Sequence, residues 1–425
     1  MQFVFQITYN CNLRCEYCYQ PKTKHKVLKK EEAFEFIDEW FKYYITDESK
    51  IFSVYMAKHD KPESYTLNFF GGEPLLYPEL LMDIIDYFKE SCIKNNLERL
   101  WDNTSIVFQT NGTLIQTPNV LALKDKYKDR IIWHITFEGT AECQDAKRKF
   151  ADGSGSYSII KDNLDYLIEE YNDPELKRFP DKLTFTPETV PLILSVTKAL
   201  IKIGYHYVGL DYDSTIQINE KESEEYYQAL CRAIDYIVDN RVRLYPRHFG
   251  YTYNNTTRMN ECGVFGSQLT IAPGGIISNC QMANDSYIQE CPEKVILGNI
   301  KDGITNLEHL DEMRHLEARR IEPKQCTNCP IRHACSECPM ENLKMHGNLH
   351  KSSKNCGFIV AQARSQKYFA EKAEATDYPY YKKTIQHIKE TNMYDPNYRY
   401  WYQDNYETEW VDKSKFDNED KTDIE

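Results

Sequence analysis

No run of apolar residues in this chain reaches the roughly eighteen needed to cross a bilayer, so no membrane span is expected. The opening Met-Gln-Phe-Val-Phe-Gln-Ile-Thr lacks both a basic segment and a long apolar one. It reads as a strand rather than a secretion signal. Positive charge is in short supply. Lys and Arg number 52 against 65 Asp and Glu, a formal net charge of −13. That balance argues against general binding to nucleic acid or to an anionic membrane. The expected compartment is a reducing cytoplasm, where stable disulfides are rare. Fourteen cysteines therefore need another reason, and their spacing points to metal or cluster ligation.

A chain of 425 residues suits two or three domains, and 41% apolar residues are enough for a sizeable core. Strands are predicted at residues 3–8, 66–70, 105–109, 130–137, 182–186 and 207–211. Between them lie stretches of helical spacing. Residues 31–45 carry Ala33, Phe36, Ile37, Trp40, Phe41 and Tyr44; the next carries Leu81, Ile84, Ile85 and Phe88. Further helices are predicted at 157–171, 190–203 and 222–239. Six rounds of strand then helix imply parallel strands joined by helical crossovers. A polar or glycine motif follows nearly every strand, where barrel-type α/β folds place their chemistry. Residues 1–245 are therefore read as a partial (β/α)6 TIM-like barrel.

Residues 246–258 form a bridging segment. Residues 259–356 hold eight of the fourteen cysteines in short Gly- and Asn-rich stretches, and ligand bonds are expected to fold them. Residues 357–425 form a helical and aromatic extension. It has eight Tyr and two Trp between 378 and 410. Its acidic end, 413–425, is expected to fray.

Cys11-Asn-Leu-Arg-Cys15-Glu-Tyr-Cys18 is a C-x3-C-x2-C group directly after a strand. Three thiolates in one tight loop can hold three irons of a cubane and leave the fourth open to a ligand. Zinc usually asks for four protein ligands and a C-x2-C knuckle. With this group, Tyr17 before the third cysteine and Gly71-Gly72-Glu73-Pro74 after the second strand, the sequence resembles the radical S-adenosylmethionine (SAM) superfamily. Thr136-Phe137-Glu138-Gly139 stands where relatives read Ser-x-Asp-Gly. The resemblance implies a 4Fe–4S cluster on Cys11, Cys15 and Cys18. It implies SAM contacts from Tyr17 at the adenine and from Gly71, Gly72 and Glu73 at the methionyl ammonium. Asn111, Thr136 and Glu138 would meet SAM's polar groups, and Arg148 its carboxylate. It also implies the first chemical step, reductive cleavage of SAM to methionine and a 5′-deoxyadenosyl radical that abstracts a substrate hydrogen.

Cys262-x12-Gly275-x4-Cys280, then Cys326-x2-Cys329-x5-Cys335-x2-Cys338 and a distant Cys356, resemble the seven-cysteine SPASM domain. The family has three residues where two separate Cys335 from Cys338. The resemblance implies two auxiliary 4Fe–4S clusters. One would use Cys262, Cys280 and Cys338, either open at its fourth iron or closed by Cys291. The other would use Cys326, Cys329, Cys335 and Cys356. A zinc knuckle is the competing reading of the C-x2-C pairs. Cys92 and Cys231 fall on apolar helix faces and are read as core; Cys143 falls in a predicted loop.

SPASM-type enzymes mostly modify peptides or proteins. The expected activity is that of a peptide maturase, acting on a ribosomally made precursor to form a thioether, C–C or C–O crosslink or another oxidative modification. A low-potential donor such as flavodoxin or ferredoxin would supply the electron. No leader-binding domain is expected ahead of the strand at Phe3. Sulfatase-maturase-like oxidation of Cys or Ser to formylglycine is the alternative, but those relatives carry an Asp where this chain has Gln281. A non-catalytic iron–sulfur carrier is a third reading, with no use for Glu73 or Arg148. No catalytic base is named; Glu188, Asp211 and Asp213 lie near predicted strand ends.

Overall fold

The computed structural model describes residues 1–20, 25–56, 61–173, 183–210, 212–213, 216–246, 267–284, 294–316, 319–332, 338–352, 356–402 and 409–412. Cys262, Cys291, Cys335, Asp211 and the acidic end at 413–425 lie outside them. Nothing among the described helices is long and apolar enough to cross a membrane.

Twelve strands are described in chain order: β1 (Gln2–Thr8), β2 (Tyr65–Gly71), β3 (Thr104–Thr110), β4 (Ile131–Ile135), β5 (Tyr207–Val208), β6 (Tyr245–Pro246), β7 (Gln268–Ala272), β8 (Ile276–Ser278), β9 (Ile296–Asn299), β10 (Gly303–Ile304), β11 (Ile321–Pro323) and β12 (Trp410–Asp412). The main sheet runs β10-β9-β8-β7-β1-β2-β3-β4. Its β7-β1-β2-β3-β4 part is parallel, so the fold is α/β with a parallel-dominated sheet. Phe3, Val4, Phe5 and Ile7 are all fully buried, the near-continuous apolar run of a strand covered on both faces.

The covering helices follow the predicted spacing. Helix Lys30–Thr46 buries Ala33, Phe36, Ile37, Trp40 and Phe41 against the sheet. Its start is fixed by the Glu32 carboxylate, which accepts the Lys29 N–H at 3.0 Å. Asp47, in the left-handed region, ends it. Phe3 lies at the hub of this layer, with ring centroids 5.7 Å from Phe36, 5.2 Å from Trp40 and 5.8 Å from Phe52. Helix Glu220–Asp239 begins two residues before the predicted start. Asn219 and Glu222 cap each other reciprocally, each side chain accepting the other's N–H at 2.9 Å.

The fifth and sixth strand positions differ from the predicted barrel. Among the described residues, position five is a single parallel bridge, Phe185 to Tyr212. β5 pairs with β6 in a separate two-stranded ladder. The chain after Phe185 turns inward instead of extending. The Thr186 N–H goes to the Thr189 hydroxyl at 2.9 Å, and the Thr189 N–H returns to the Thr186 carbonyl at 2.9 Å. Those donors are then lost to a ladder.

The cysteine-rich region joins the same sheet. β7 lies parallel to β1 with Phe3 opposite Leu269, and β8, β9 and β10 follow antiparallel. The β10 edge is tied to the N-terminal half where the Ile304 N–H meets the Lys50 carbonyl at 3.1 Å. Helix Cys356–Ala375 packs along helix Glu220–Asp239. The Ser223 hydroxyl donates to the Gly357 carbonyl at 2.6 Å, and Phe358 stacks on Tyr226 at 5.8 Å. Cys92 and Cys231 are buried as predicted. Cys143 is also buried, but in helix Ala141–Lys147, not in a loop. The Thr140 hydroxyl caps that helix on the Cys143 N–H.

Two outcomes follow from this core. Phe3→Ala removes the ring that five aromatic neighbours enclose, and urea unfolding should register a loss of about 3–5 kcal/mol. A loss under about 1 kcal/mol would show that the hub repacks. The second concerns pH. His309, in helix Leu307–Arg314, is 1% exposed, and burial pushes its imidazole down to about 4. The unfolded chain takes up this proton below pH 6.5, the folded chain only near 4, so stability falls as pH drops through that window. The loss should approach about 3 kcal/mol near pH 4, and should shrink in His309→Leu when urea midpoints are compared at neutral and acid pH.

Candidate functional site

Parallel strands converge their carboxyl ends on one crevice, and the predicted residues gather there. Cys11 follows β1, Gly72 and Glu73 follow β2, Asn111 follows β3, and Thr136 and Glu138 follow β4.

The loop holding Cys11, Cys15 and Cys18 is fixed from two sides. On one side the Gly72 N–H donates to the Thr8 carbonyl and the Glu73 N–H to the Asn10 carbonyl, both at 2.8 Å. This approach requires bare glycine. A Cβ at Gly71 would overlap the Thr8 backbone, and one at Gly72 the Asn10 carbonyl. On the other side the Arg14 N–H reaches the Lys149 carbonyl at 2.7 Å and the Glu16 N–H reaches the Lys147 carbonyl at 3.1 Å. That second seam carries Arg148 beneath the loop.

The three thiols line a cavity of about 260 Å³, whose remaining wall is Tyr9, Asn10, Leu13, Arg14, Gln20 and His25. His25 holds the Asn10 side-chain oxygen through Nδ1 at 2.8 Å. Burial pushes the Cys11 thiol up to about 12, with Glu73, Cys15 and Cys18 adding to the rise. Burial raises Cys15 as well, against the pull of Arg148. Thiols raised like those of Cys11 and Cys15 ionise together only when a cation shares the cavity. A soft sulfur set around a space of this size suits an iron–sulfur cubane. Among the described residues, no three His, Cys, Asp or Glu side chains converge closely enough for a single metal ion.

Glu73 is fully buried and commits its carboxylate to the neighbouring strand. Oε1 accepts the Thr110 hydroxyl at 2.7 Å and the Leu75 N–H at 3.0 Å, and Oε2 accepts the Asn111 N–H at 2.7 Å. Burial nevertheless lifts it to about 7. The side chain thus clamps the ends of β2 and β3. The Asn111 amide donates to the Asn12 oxygen at 2.8 Å and lies 3.7 Å from the Cys11 sulfur. Thr136 is half-buried and sends its N–H to the Thr110 carbonyl at 3.2 Å.

Tyr17, Glu138 and Arg148 form one chain of bonds. Arg148 Nη1 donates to the Tyr17 hydroxyl, which donates to Glu138 Oε1, both at 2.8 Å. Arg148 is 5% exposed and Glu138 2%. Burial opposes the Arg148 charge, but Tyr17, Cys15 and Glu138 together outweigh it and raise its pKa. The buried Arg148 Nε has no hydrogen-bond partner among the described residues, a donor of the kind a carboxylate ligand satisfies.

Residues outside the sequence prediction hold this arrangement. Thr110 joins Glu73, Asn12 links Asn111 to Thr113, and Gln144 takes the Glu138 N–H at 2.8 Å. Thr110 and Asn12 lie beside motif residues, which is the only sequence signal they carry; Gln144 carries none. Of the strand-end acids, Glu188 is exposed and bound by Thr186 at 2.7 Å and Lys147 at 3.2 Å. Those bonds hold it below the usual carboxylate range. Asp213 is buried.

The described cysteines beyond β7 fall into two groups. Cys280 is buried with Val295, Met313, Met340 and Leu343, and Cys338 packs on the same cluster. Cys326 and Cys329 share a tight turn, the Cys329 N–H reaching the Cys326 carbonyl at 3.4 Å. Cys329 and Cys356 pack around Ile331, Ile359 and Val360. The turn is braced from below, where Arg332 donates to the Cys326 carbonyl at 2.8 Å and to Glu322 at 2.6 Å.

Residues 5–179 match the Radical SAM superfamily. The chain carries a radical SAM domain. Its four parallel strand ends and the cysteine loop all lie within that match. The radical SAM cyclopropyl synthase TigE of Paramaledivibacter caminithermalis is 23% identical over 372 residues, 81% of this chain and 68% of that protein. Among solved structures, anSMEcpe with bound AdoMet and Cp18Cys peptide superposes with a TM-score of 0.63 at 17% identity, covering 92% of this chain and 99% of that one. Streptococcus suis SuiB bound to precursor peptide SuiA gives 0.51 at 14% identity, covering 83% and 74%. At these identities the structures speak for the fold alone.

The bond chain through Tyr17 yields a direct test. Tyr17→Phe keeps the ring but removes the hydroxyl shared by two buried charges, so urea unfolding should show a loss of about 1–3 kcal/mol. Unchanged stability would mean that Arg148 and Glu138 do not depend on it.

Proposed function

We propose that this chain is a radical SAM peptide maturase. One observation carries the reading: Cys11, Cys15 and Cys18 line a single cavity at the strand ends, on a loop stitched by backbone to Gly72 and Glu73. They would hold three irons of a 4Fe–4S cluster and leave the fourth to SAM. When bound, the cluster and SAM supply a 5′-deoxyadenosyl radical that takes a hydrogen atom from a peptide side chain or backbone. The product is a thioether, C–C or C–O crosslink or another oxidative modification.

The chain's own part is positioning. Gly71 and Gly72 let the end of β2 press on Thr8 and Asn10 and so set the cysteine loop at the crevice. Arg148 Nε offers a charged donor to a carboxylate, while Tyr17 and Glu138 keep that guanidinium in place. Asn111 and Thr136 present polar groups at the same crevice. Burial of Asn111, Glu138 and Arg148 excludes water from them, which strengthens each electrostatic contact. In the second region Cys280 and Cys338, with Cys262, would hold one auxiliary cluster. Cys326, Cys329 and Cys356, with Cys335, would hold another. These clusters would accept the second electron of an oxidation. A precursor peptide accompanies SuiB and a Cp18Cys peptide accompanies anSMEcpe in solved complexes, which supports a peptide substrate here. A flavodoxin or ferredoxin of the cytoplasm would deliver the first electron. Formylglycine formation is the weaker reading, because Gln281 cannot serve as the base that follows the matching cysteine in sulfatase maturases.

Anaerobic reconstitution should load about twelve irons per chain, three cubanes' worth. Adding SAM and dithionite should release 5′-deoxyadenosine, and Cys15→Ala should abolish it. A fully loaded protein that makes none would overturn the enzyme reading in favour of an electron carrier. Mass spectrometry of a co-expressed precursor peptide should then show loss of two hydrogens.

A further inference from the structure

The tyrosine-rich segment after helix Lys382–Thr391 runs directly over the second cysteine group. Tyr400 is buried in the cluster that Cys329 and Cys356 pack against, and Tyr394, Tyr398 and Tyr402 close its rim. Tyr398 packs on the same apolar cluster as Cys329 and Cys356. The rings brace one another. Tyr394 stacks on Tyr400 with centroids 5.5 Å apart, Tyr398 meets Tyr400 edge-on at 5.1 Å, and the Asp395 N–H donates to the Tyr400 hydroxyl at 3.0 Å.

Both described stretches are anchored on the residues that lead into Cys326. The Tyr398 hydroxyl donates to the Gln325 carbonyl. The Lys324 N–H donates to the Glu409 carbonyl at 2.8 Å, and β12 pairs with β11 through Trp410 opposite Pro323. Trp410 is held in turn by Trp401 at 6.2 Å and by Lys351 over its ring at 4.5 Å. Three separate ties thus meet on residues 323–325, next to Cys326.

We infer that residues 394–402 are the outer wall of the second cysteine site, with Tyr398 as the positioning residue that pins the Cys326 turn. The inference rests on the reading that this site holds an iron–sulfur cluster. The aromatic wall keeps water, oxygen and chelators from the thiolates and their irons, and the hydroxyl tether keeps the turn from opening. This gives the C-terminal extension a task distinct from peptide docking.

The test uses the anaerobically reconstituted full chain, incubated with an iron chelator and iodoacetamide and mapped by peptide mass spectrometry. Each cysteine is labelled as its cluster leaves, so the sites report separately. Tyr398→Ala should label Cys326, Cys329 and Cys356 about tenfold faster than the wild type, and Tyr398→Phe, which keeps the wall but cuts the tether, about threefold faster. Labelling of Cys11, Cys15 and Cys18 should stay at the wild-type rate, which excludes general unfolding. Wild-type rates at the second site in both variants would overturn the wall. Immediate labelling of Cys326, Cys329 and Cys356 in the wild type, with iron well below twelve, would instead remove the cluster reading and this inference with it.

Discussion

The structure depends on a contact that side chains are not allowed to enter. Where β1 meets β2 at their carboxyl ends, the backbones at Gly71 and Gly72 press onto Thr8 and Asn10 with no room for a Cβ. The register slips between Gln6 and Thr8 at that point, so β1 bends into the cysteine loop while staying bonded to its neighbour. The position of Cys11 is thus set by main-chain hydrogen bonds, the least compressible links available. The seam from Arg14 and Glu16 to residues 147–149 then fixes the far side of the loop.

Charge burial follows the same logic in both cysteine regions. Removing Arg148 and Glu138 from water is costly unless each finds polar partners. Tyr17 supplies a neutral hydroxyl between them, so neither charge is left alone and neither neutralises the other outright. Glu322, fully buried, plays the corresponding part below the Cys326 turn, between Arg320 and Arg332. In each case the buried ion bonds a backbone or ring next to a cysteine. Such networks add little to net stability and much to positional uniqueness, which is what a thiol set needs if it is to meet a rigid cluster.

The residues legible in the sequence were those whose role is local. The three cysteines, the double glycine and the apolar runs of β1 to β4 declare themselves by spacing. So does helix Tyr157–Tyr171. What escaped was set by long-range pairing. Nothing in the periodicity of residues 268–272 says that they will lie beside β1, because strand pairing is decided by geometry two hundred residues away. Gln144 holds the Glu138 backbone, yet a glutamine on a short helix is silent in sequence. Residues 182–186 read as a strand, but Thr186 and Thr189 bond each other in a turn at its end.

The pairing of β7 with β1 has a mechanical consequence. Cys11 follows β1, and Cys280 follows β8, which pairs with β7 in the same sheet. Two strand spacings, each roughly 4.8 Å, separate these strands, and because β8 runs antiparallel to β7, Cys280 lies at the end of the sheet opposite Cys11. A hydrogen-bonded sheet transmits position without a hinge, so the spacing between the first cavity and the Cys280 group is fixed at folding and does not await a closure step.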